Sequence, residues 1–146
     1  MQEIRDDIWS YGKIGHIVVT TNGHVNSRGQ CVMGRGIALQ AAKRFPHLPG
    51  ILAARIQATG NHLYHFPLTQ SILTFPVKEV WWEPAKQYLI QRSCQELLNW
   101  LGDRQEQVFI PHAGCANGGL DWLTQVKPIF EQEFGDDDRI VVVDRA

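Results

Sequence analysis

A strand-like run, a glycine-bearing loop and a helix follow one another between residues 18 and 45. Residues 17–21 are apolar and β-branched, as in a buried strand, and strong helix formers follow Gly36. The loop ends in Met33-Gly34-Arg35-Gly36. Glycines let a backbone approach a ligand closely, and the free N–H groups at a helix start attract phosphates. The segment therefore predicts either a phosphate-binding turn or a turn whose glycines serve packing alone.

Two better-known phosphate motifs do not fit this segment. The dinucleotide fingerprint requires a third glycine, which is missing after Gly34 and Gly36. A P-loop would continue with Gly-Lys-Ser or Gly-Lys-Thr, and no such triplet follows.

A second glycine-rich loop, His-Ala-Gly-Cys-Ala-Asn-Gly-Gly, occupies residues 112–119. It follows a strand-like run at 107–111 and precedes a helical pattern at 120–134. In that helix the spacing predicts an inward face of Leu123, Val126, Phe130 and Phe134.

The rest of the chain alternates predicted strands and helices. Strands are predicted at 13–21, 62–66, 71–75, 107–111 and 139–144, with a short edge strand and a turn within 1–11. Helices are predicted at 34–45, 48–59, 85–101 and 120–134, and a loop at 76–84. This order indicates an α/β fold whose parallel or mixed sheet is covered on both faces, with 62–66 and 71–75 as a hairpin. Because ligands of such sheets bind beyond the carboxyl ends of the strands, both glycine loops should line one crevice able to grip a diphosphate.

Composition narrows the class of protein. A length of 146 residues fits a single domain spanning 1–146, and 44 % hydrophobic with 20 % charged residues is ordinary for a globular protein. The formal net charge of −1 does not indicate general binding to nucleic acid or to an anionic membrane, although a local basic patch stays open. The absence of a signal peptide and of a long apolar run favours the cytoplasm and no membrane association. The three cysteines form no CxxC pair and the six histidines lack ligand spacing, so no metal site is expected.

Three motifs in this order resemble the macrodomain family of ADP-ribose-binding modules: VVTTNGHVNSRGQCVMGRGIALQAA, FPVKEVWW and IPHAGCANGGLDW. Within the family, the sequence is most similar to a branch that contains DNA ADP-ribosyl glycohydrolase antitoxins and terminal ADP-ribose glycohydrolases acting on glutamate esters. The resemblance implies a three-layer α/β/α sandwich with a central mixed sheet. It also implies ADP-ribose or an ADP-ribosylated macromolecule as partner. No cofactor or metal is required, because backbone donors and helix starts can hold the diphosphate.

The resemblance assigns ligand-binding roles residue by residue. Asp7 and Ile8 match the pair that recognises adenine, and Asn22 matches the asparagine that contacts the distal ribose, with Asn26 as a rival. The first phosphate loop corresponds to Met33, Gly34, Arg35, Gly36 and Ile37. The second corresponds to Gly114, Cys115, Ala116, Asn117, Gly118, Gly119 and Leu120.

The resemblance also implies two catalytic residues, Lys78 of the Pro-x-Lys motif and Asp121 after the second loop. A lysine among apolar groups has a depressed pKa and can attack the anomeric carbon or the opened aldehyde, and a carboxylate nearby can act as acid or base. The alternatives are a solvated surface lysine and a helix-capping aspartate. We interpret Cys115 as packing rather than as a nucleophile.

Two features depart from the family pattern. Asn117 stands where many relatives have a glycine or small residue. The segment after Lys78, Glu79-Val80-Trp81-Trp82-Glu83, lacks the basic histidine–arginine pair of the DNA-acting antitoxins, which weakens the case for a DNA-linked substrate. The two tryptophans are either packing and lid residues or a stacking surface for a base, and the sequence does not decide between them.

The expected function is that of an ADP-ribosyl hydrolase which releases ADP-ribose from a modified macromolecule. The alternatives are a phosphatase acting on ADP-ribose-1″-phosphate, a non-catalytic ADP-ribose reader, and a nucleotide-binding or scaffolding domain unrelated to ADP-ribose. Direct binding to nucleic acid is left undecided.

Overall fold

A computed structural model describes residues 1–145 of the chain. The strands are β1 (Gln2–Arg5), β2 (Gly15–Asn22), β3 (Tyr64–Pro67), β4 (Ser71–Lys78), β5 (Gln107–Ile110) and β6 (Ile140–Asp144). The α-helices are α1 (Gly36–Arg44), α2 (Leu48–Thr59), α3 (Gln87–Leu101) and α4 (Lys127–Phe134). Among these residues, no helix combines the length and apolar character that crossing a membrane requires.

All six strands form one mixed sheet in the order β1-β6-β5-β2-β4-β3. Among residues 1–145, four of the five neighbouring pairs are parallel, and only β3 is antiparallel to its partner β4, to which a short turn joins it as the predicted hairpin. The carboxyl ends of β5, β2 and β4 therefore lie side by side. Both glycine loops and Lys78 leave the sheet at this edge.

Alternate residues along each strand face opposite layers of helices. Val18 and Leu73 pack with α3 and α4 in one core, whereas Ile17 and Ile72 pack with residues of α1 and α2 in the other. In the central strands these residues are fully buried, which explains why the sequence of β2 does not alternate between apolar and polar residues. The expected three-layer α/β/α sandwich with a mixed central sheet is confirmed.

Strand β4 is longer than the sequence predicted, because the predicted loop at 76–84 begins with three strand residues. Pro76 pairs with Thr21 of β2, and the strand ends only at Lys78. On the other side of β4, the pairing with β3 reaches only Thr74, so Pro76 has no partner there. The missing N–H of Pro76 therefore leaves no ladder bond unmade. Lys78 lies at a strand end and not in an exposed loop.

The two helices that follow the glycine loops also begin later than predicted. Helix α1 begins at Gly36 rather than at residue 34. The predicted helix at 120–134 begins with a wide turn, Trp122–Val126, and becomes α-helical only at Lys127. The wide turn shifts the helical register, so Leu123 is 69 % exposed and its predicted inward position is wrong, whereas Val126, Phe130 and Phe134 are buried as expected.

Candidate functional site

A cleft of about 1200 Å³ lies at the carboxyl edge of the sheet. Ligand pockets are commonly about 300–1,000 Å³, so this cleft can accept a ligand of nucleotide size or larger. It runs from Asp7 and Ile8, which follow β1, to Lys78 and Trp82 at the end of β4. The sequence-predicted residues that line it are Asp7, Ile8, Asn22, Gly34, Arg35, Gly36, Ile37, Lys78, Gly114, Cys115, Ala116, Asn117, Gly118 and Gly119.

The first loop presents an uncapped helix start to the cleft. Arg35 precedes α1 in an extended conformation and makes no side-chain cap bond, so it does not satisfy the first N–H groups of α1. Gly36 has φ +55°, and a Cβ there would meet no atom within 4 Å. Backbone donors, a helix start and the Arg35 guanidinium together form a surface suited to a phosphate.

The second loop combines a tightly packed glycine with an open one. Gly114 has φ +75°, and a Cβ on it would lie 2.7 Å from Ile90 Cδ1 and 3.0 Å from Ala85 Cβ, so a side chain here would be strained and would displace its neighbours. Gly119 has φ +81° but faces open space. Between them Ala116 has φ +54°, a left-handed conformation that costs a non-glycine residue about 1–2 kcal/mol. Such strain concentrates where a loop is shaped for a ligand.

Lys78 is almost completely buried in the wall of the cleft. The residue is only 7 % exposed, and its Nζ donates to the Trp81 carbonyl at 3.3 Å. Burial lowers the pKa of the Lys78 ammonium, and the nearby positive charge of Arg35 lowers it further. A lysine with a lowered pKa supplies more of the neutral amine that acts as a nucleophile. This environment differs from that of a solvated surface lysine, which was the alternative interpretation.

The two asparagines considered for the distal ribose occupy different places. Asn22 lines the cleft, where Nδ2 donates to the Val32 carbonyl at 2.9 Å and Oδ1 accepts from the His24 N–H at 2.9 Å. These bonds leave one N–H and one lone pair of the amide for a ligand. Asn26 does not line the cleft, and its Oδ1 accepts from Arg28 and Gln30 N–H groups within the loop. The geometry favours Asn22.

Three further residues predicted for the site do not line the cleft. Met33 is buried in the core beside α1 and α2, and Leu120 packs against the core on the opposite face of the sheet. Asp121 caps the turn that follows the second loop: its Oδ2 accepts from Thr124 N at 2.8 Å and from Thr124 Oγ1 at 2.7 Å. These bonds to Thr124 lower the pKa of Asp121. Of the two interpretations of Asp121, the cap is the one with observed contacts.

The end of the cleft opposite Lys78 combines a carboxylate, an amide and an apolar surface. Asp7 Oδ1 accepts from Trp9 N at 3.1 Å, which fixes the carboxylate at the start of a short turn beside Ile8. Trp9 Nε1 donates to Gln40 Oε1 at 2.8 Å, and Gln40 also lines the cleft. An apolar surface beside a carboxylate and an amide matches a flat base with an exocyclic amine. Sequence reasoning missed Gln40, because it lies in the second turn of a helix with no local motif.

Sequence reasoning also missed other residues that line the cleft. They are Asp6, Thr20, Thr21, Val32, Ala38, Val77, Glu83, Pro84, Pro111, His112, Val143, Asp144 and Arg145, together with Trp81 and Trp82, whose role was left open. Val143, Asp144 and Arg145 join the site only through the order of the strands, which brings β6 next to β5. No short-range sequence signal identifies such neighbours.

Neither a thiol nucleophile nor a metal centre is indicated. Burial raises the pKa of Cys115 to about 11, and its Sγ lies 3.7 Å from the Ala113 carbonyl. His112 stacks on Trp122 at 4.0 Å between ring centroids. This supports packing for Cys115, as the sequence predicted. Within residues 1–145, no group of three His, Cys, Asp or Glu side chains could hold a metal ion.

Comparison with known proteins gives one consistent result. No protein-family model matches the sequence. The chain is 30 % identical over 107 residues to the DNA ADP-ribosyl glycohydrolase of Thermus aquaticus, a match covering 67 % of this chain and 29 % of that protein. The chain thus spans less than a third of the length of the curated relatives it matches.

Solved structures superpose on nearly the whole of this chain. The macrodomain of Thermus aquaticus DarG superposes with a TM-score of 0.80 at 21 % identity, covering 99 % of this chain and 97 % of that one. Thermosipho africanus DarTG in complex with ADP-ribose gives a TM-score of 0.79 at 17 % identity, covering 96 % of this chain and 40 % of that one. The fold and the sequence similarity point to the same group of proteins. The chain therefore belongs to the macrodomain family, and within it is similar to the DarG macrodomains.

Proposed function

We propose that this macrodomain binds ADP-ribose in the cleft and hydrolyses the bond between the distal ribose and a modified macromolecule. The observation that carries the proposal is the buried Lys78, which lies at one end of a cleft lined by two phosphate-binding loops. The relatives named DNA ADP-ribosyl glycohydrolase support the same reaction class.

The proposal orients the ligand along the order of the strands, with adenine at the β1 end. Adjacent strands lie about 4.8 Å apart, so the four steps from β1 to β4 span about 19 Å. Adenine beside Asp7 and Ile8 places the diphosphate between the two glycine loops. The distal ribose then reaches Asn22 and Lys78 at the ends of β2 and β4.

The chemistry assigned to Lys78 is nucleophilic. Its neutral amine attacks C1″ of the distal ribose, the C1″ bond to the macromolecule breaks, and the leaving atom receives a proton from water. Water then hydrolyses the lysine adduct, which regenerates the amine and releases ADP-ribose. The lowered pKa of Lys78 increases the fraction of amine available for the first step. We assign no step to Asp121, because its carboxylate bonds to Thr124 and does not line the cleft; the assisting role that the resemblance implies is tested below.

The decisive experiment is calorimetric titration with ADP-ribose followed by turnover of ADP-ribosylated substrates. We expect wild type to bind ADP-ribose, and Lys78→Ala to bind it but to release none from substrates. Unchanged turnover in Lys78→Ala would overturn the lysine mechanism. Binding by wild type without turnover on any linkage would instead favour a reader, and phosphate release from ADP-ribose-1″-phosphate would favour the phosphatase.

The proposal includes a cytoplasmic location. All three cysteines are free, and two of them, Cys31 and Cys94, are buried in the core. Unpaired buried thiols are typical of a reducing compartment. Localisation of a tagged chain by microscopy or fractionation tests this part.

A further inference from the structure

His112 lines the cleft but has no role in the binding of ADP-ribose as described above. It follows β5 by two residues and begins the second glycine loop. In the sheet, β5 lies between β6, which borders the adenine end, and β2, which ends at Asn22. His112 therefore lies at the middle of the cleft, where the proposed orientation puts the diphosphate.

Stacking holds the imidazole of His112 in place. Its ring lies on that of Trp122, with centroids 4.0 Å apart and an interplanar angle of 5°. Trp122 begins the wide turn that Asp121 caps, so the ring rests on a part of the chain that is itself fixed. Nδ1 of His112 lies 3.8 Å from Asp144 Oδ1, which is too long for a hydrogen bond. The ring is thus positioned without a hydrogen bond from Nδ1 to this carboxylate.

The charges around His112 favour a neutral ring at pH 7. Burial lowers the pKa of His112 below 6.5, Asp144 and Glu3 oppose this, and Lys127 adds a smaller lowering. Lys127 and Glu3 pair with each other at 2.8 Å, so their effects on His112 offset one another. Residues 112–119 contain no lysine or arginine. His112 is therefore the side chain of the second loop that can gain a positive charge.

A diphosphate would change this balance, because it brings two negative charges into the cleft. An opposite charge within about 4–6 Å raises the pKa of an imidazole by about 1–3 units. The fixed positive charge at the glycine loops is that of Arg35, in the first loop, while the second loop offers backbone N–H groups. Any group that gains a proton when a ligand binds makes that binding tighter at lower pH.

We propose that His112 is a ligand-binding residue that takes up a proton as the diphosphate binds, so that this macrodomain holds ADP-ribose more tightly in mild acid than at neutral pH. The inference rests on the proposed function for the ligand and its orientation, but it does not require hydrolysis. By the same linkage, bound ADP-ribose stabilises the protonated ring.

The experiment is calorimetric titration of ADP-ribose in the Lys78→Ala background, which removes a second cleft residue with a lowered pKa. Titrations near pH 6 in two buffers of different ionisation enthalpy give the number of protons taken up. We expect about half a proton per ADP-ribose, and a Kd about threefold to tenfold lower at pH 5.5 than at pH 7.5. These values correspond to a rise of about one unit in the pKa of His112.

His112→Phe keeps a flat ring against Trp122 but cannot take up a proton. It should bind ADP-ribose at pH 7.5 within about twofold of the parent, with no proton uptake and no gain of affinity in acid. His24→Gln is the matched control, because His24 contacts Trp82 at the mouth of the cleft but does not line the cleft. This control should keep both the proton uptake and the gain in acid.

Three results would contradict the proposal. One is a parent that takes up no proton on binding ADP-ribose. Another is a His112→Phe variant with unchanged uptake and weaker binding at every pH, which would show that the imidazole has a structural role alone. The third is uptake that disappears in His24→Gln and persists in His112→Phe, which would place the proton on His24.

The outcomes separate this inference from the proposed hydrolase. Uptake that depends on His112, in a protein whose wild type cleaves no substrate, supports the inference and overturns the hydrolase. Turnover that depends on Lys78, without uptake that depends on His112, supports the hydrolase and overturns the inference. Failure of both wild type and parent to bind ADP-ribose overturns both.

Discussion

Lys78 pairs with Asn22 across strands β2 and β4, immediately after a shift in register between Thr21 and Asn22. Up to that point the pairing is regular, ending with Thr21 opposite Pro76, and the shift leaves Val77 without a partner in β2. The irregularity brings the candidate nucleophile level with the residue that anchors the first glycine loop through Val32 and His24. Asn22 therefore joins the first glycine loop to the strand end that carries Lys78.

The charge of Arg35 should contribute to the pH dependence of turnover. Burial and, to a smaller extent, the charge of Arg35 lower the pKa of Lys78, and only the neutral amine is a nucleophile, so activity should rise with pH through the lowered pKa. Removing the charge in Arg35→Gln should raise the pKa of Lys78 and move the rising limb of kcat towards higher pH.

Arg35→Lys keeps the charge and should retain a limb close to that of wild type. Profiles of kcat at saturating substrate separate this effect from weaker phosphate binding, which changes KM. Superimposable limbs for wild type and Arg35→Gln would show that Arg35 does not act on Lys78.

Gly119→Glu should abolish ADP-ribose binding by placing a bulky anion in the second loop. Because Gly119 has φ +81°, the substitution should also cost about 1–2 kcal/mol of the free energy of unfolding. Gly135→Glu is the control, since Gly135 has φ +53° and open surroundings but does not line the cleft. In denaturant unfolding, Gly135→Glu should lose about as much stability as Gly119→Glu. In calorimetry, it should keep the full affinity for ADP-ribose. Equal loss of binding in both variants would mean that strain, and not the site, accounts for the effect.

Variants of Asp121 can distinguish a residue that caps the following turn from a carboxylate that assists catalysis. The bonds of Asp121 to Thr124 predict that Asp121→Ala is less stable than wild type, while Asp121→Asn, which can still accept from Thr124 N, loses less stability. Turnover per folded molecule should change little in either variant, because the carboxylate does not line the cleft. Urea unfolding and turnover assays on the same preparation of each variant distinguish the two roles. A stable Asp121→Asn with turnover reduced about a hundredfold would show direct assistance.

The sequence predicted the layers of this fold better than the local path of its loops. Buried β-branched runs and amphipathic helices are local signals, and they located β2 and α3 within a few residues. The end of β4 was missed because proline normally marks a break, whereas Pro76 is tolerated beside a neighbour that has already ended. The wide turn at Trp122–Val126 was missed because its backbone register follows from the cap at Asp121 and not from hydrophobic spacing.

In the candidate site, too, some residues can be predicted from the sequence and others depend on tertiary packing. Glycine positions that require left-handed backbone, such as Gly36 and Gly119, are readable from the residue type and its spacing. The roles of Asn22 and Asn26 depend on which side chain the loop turns towards the cleft, and Gln40 enters the site only through the packing of Trp9. Such relationships are tertiary, so a single sequence does not contain a local signal for them.

Two histidines should make the protein less stable in mild acid. His65 Nε2 lies 2.8 Å from Ser71 Oγ, and burial, with the nearby charges of His16 and Arg104, lowers the pKa of His65 below 6.5. Burial beside Trp122 likewise lowers the pKa of His112. The unfolded chain therefore binds more protons than the folded chain once the pH falls below about 6.5, and the free energy of unfolding decreases from there towards the lowered pKa values.

The measurement is Tm against pH between about 7.5 and 5, a window above the range in which carboxylates with ordinary or lowered pKa values titrate. We expect Tm to be flat above about pH 7 and to fall below about 6.5, with a smaller fall in the double variant His65→Gln, His112→Gln. His47→Gln serves as the control, because His47 is exposed at the start of α2 and forms no side-chain cap. A fall of the same size in wild type, control and double variant would place the acid sensitivity in other groups.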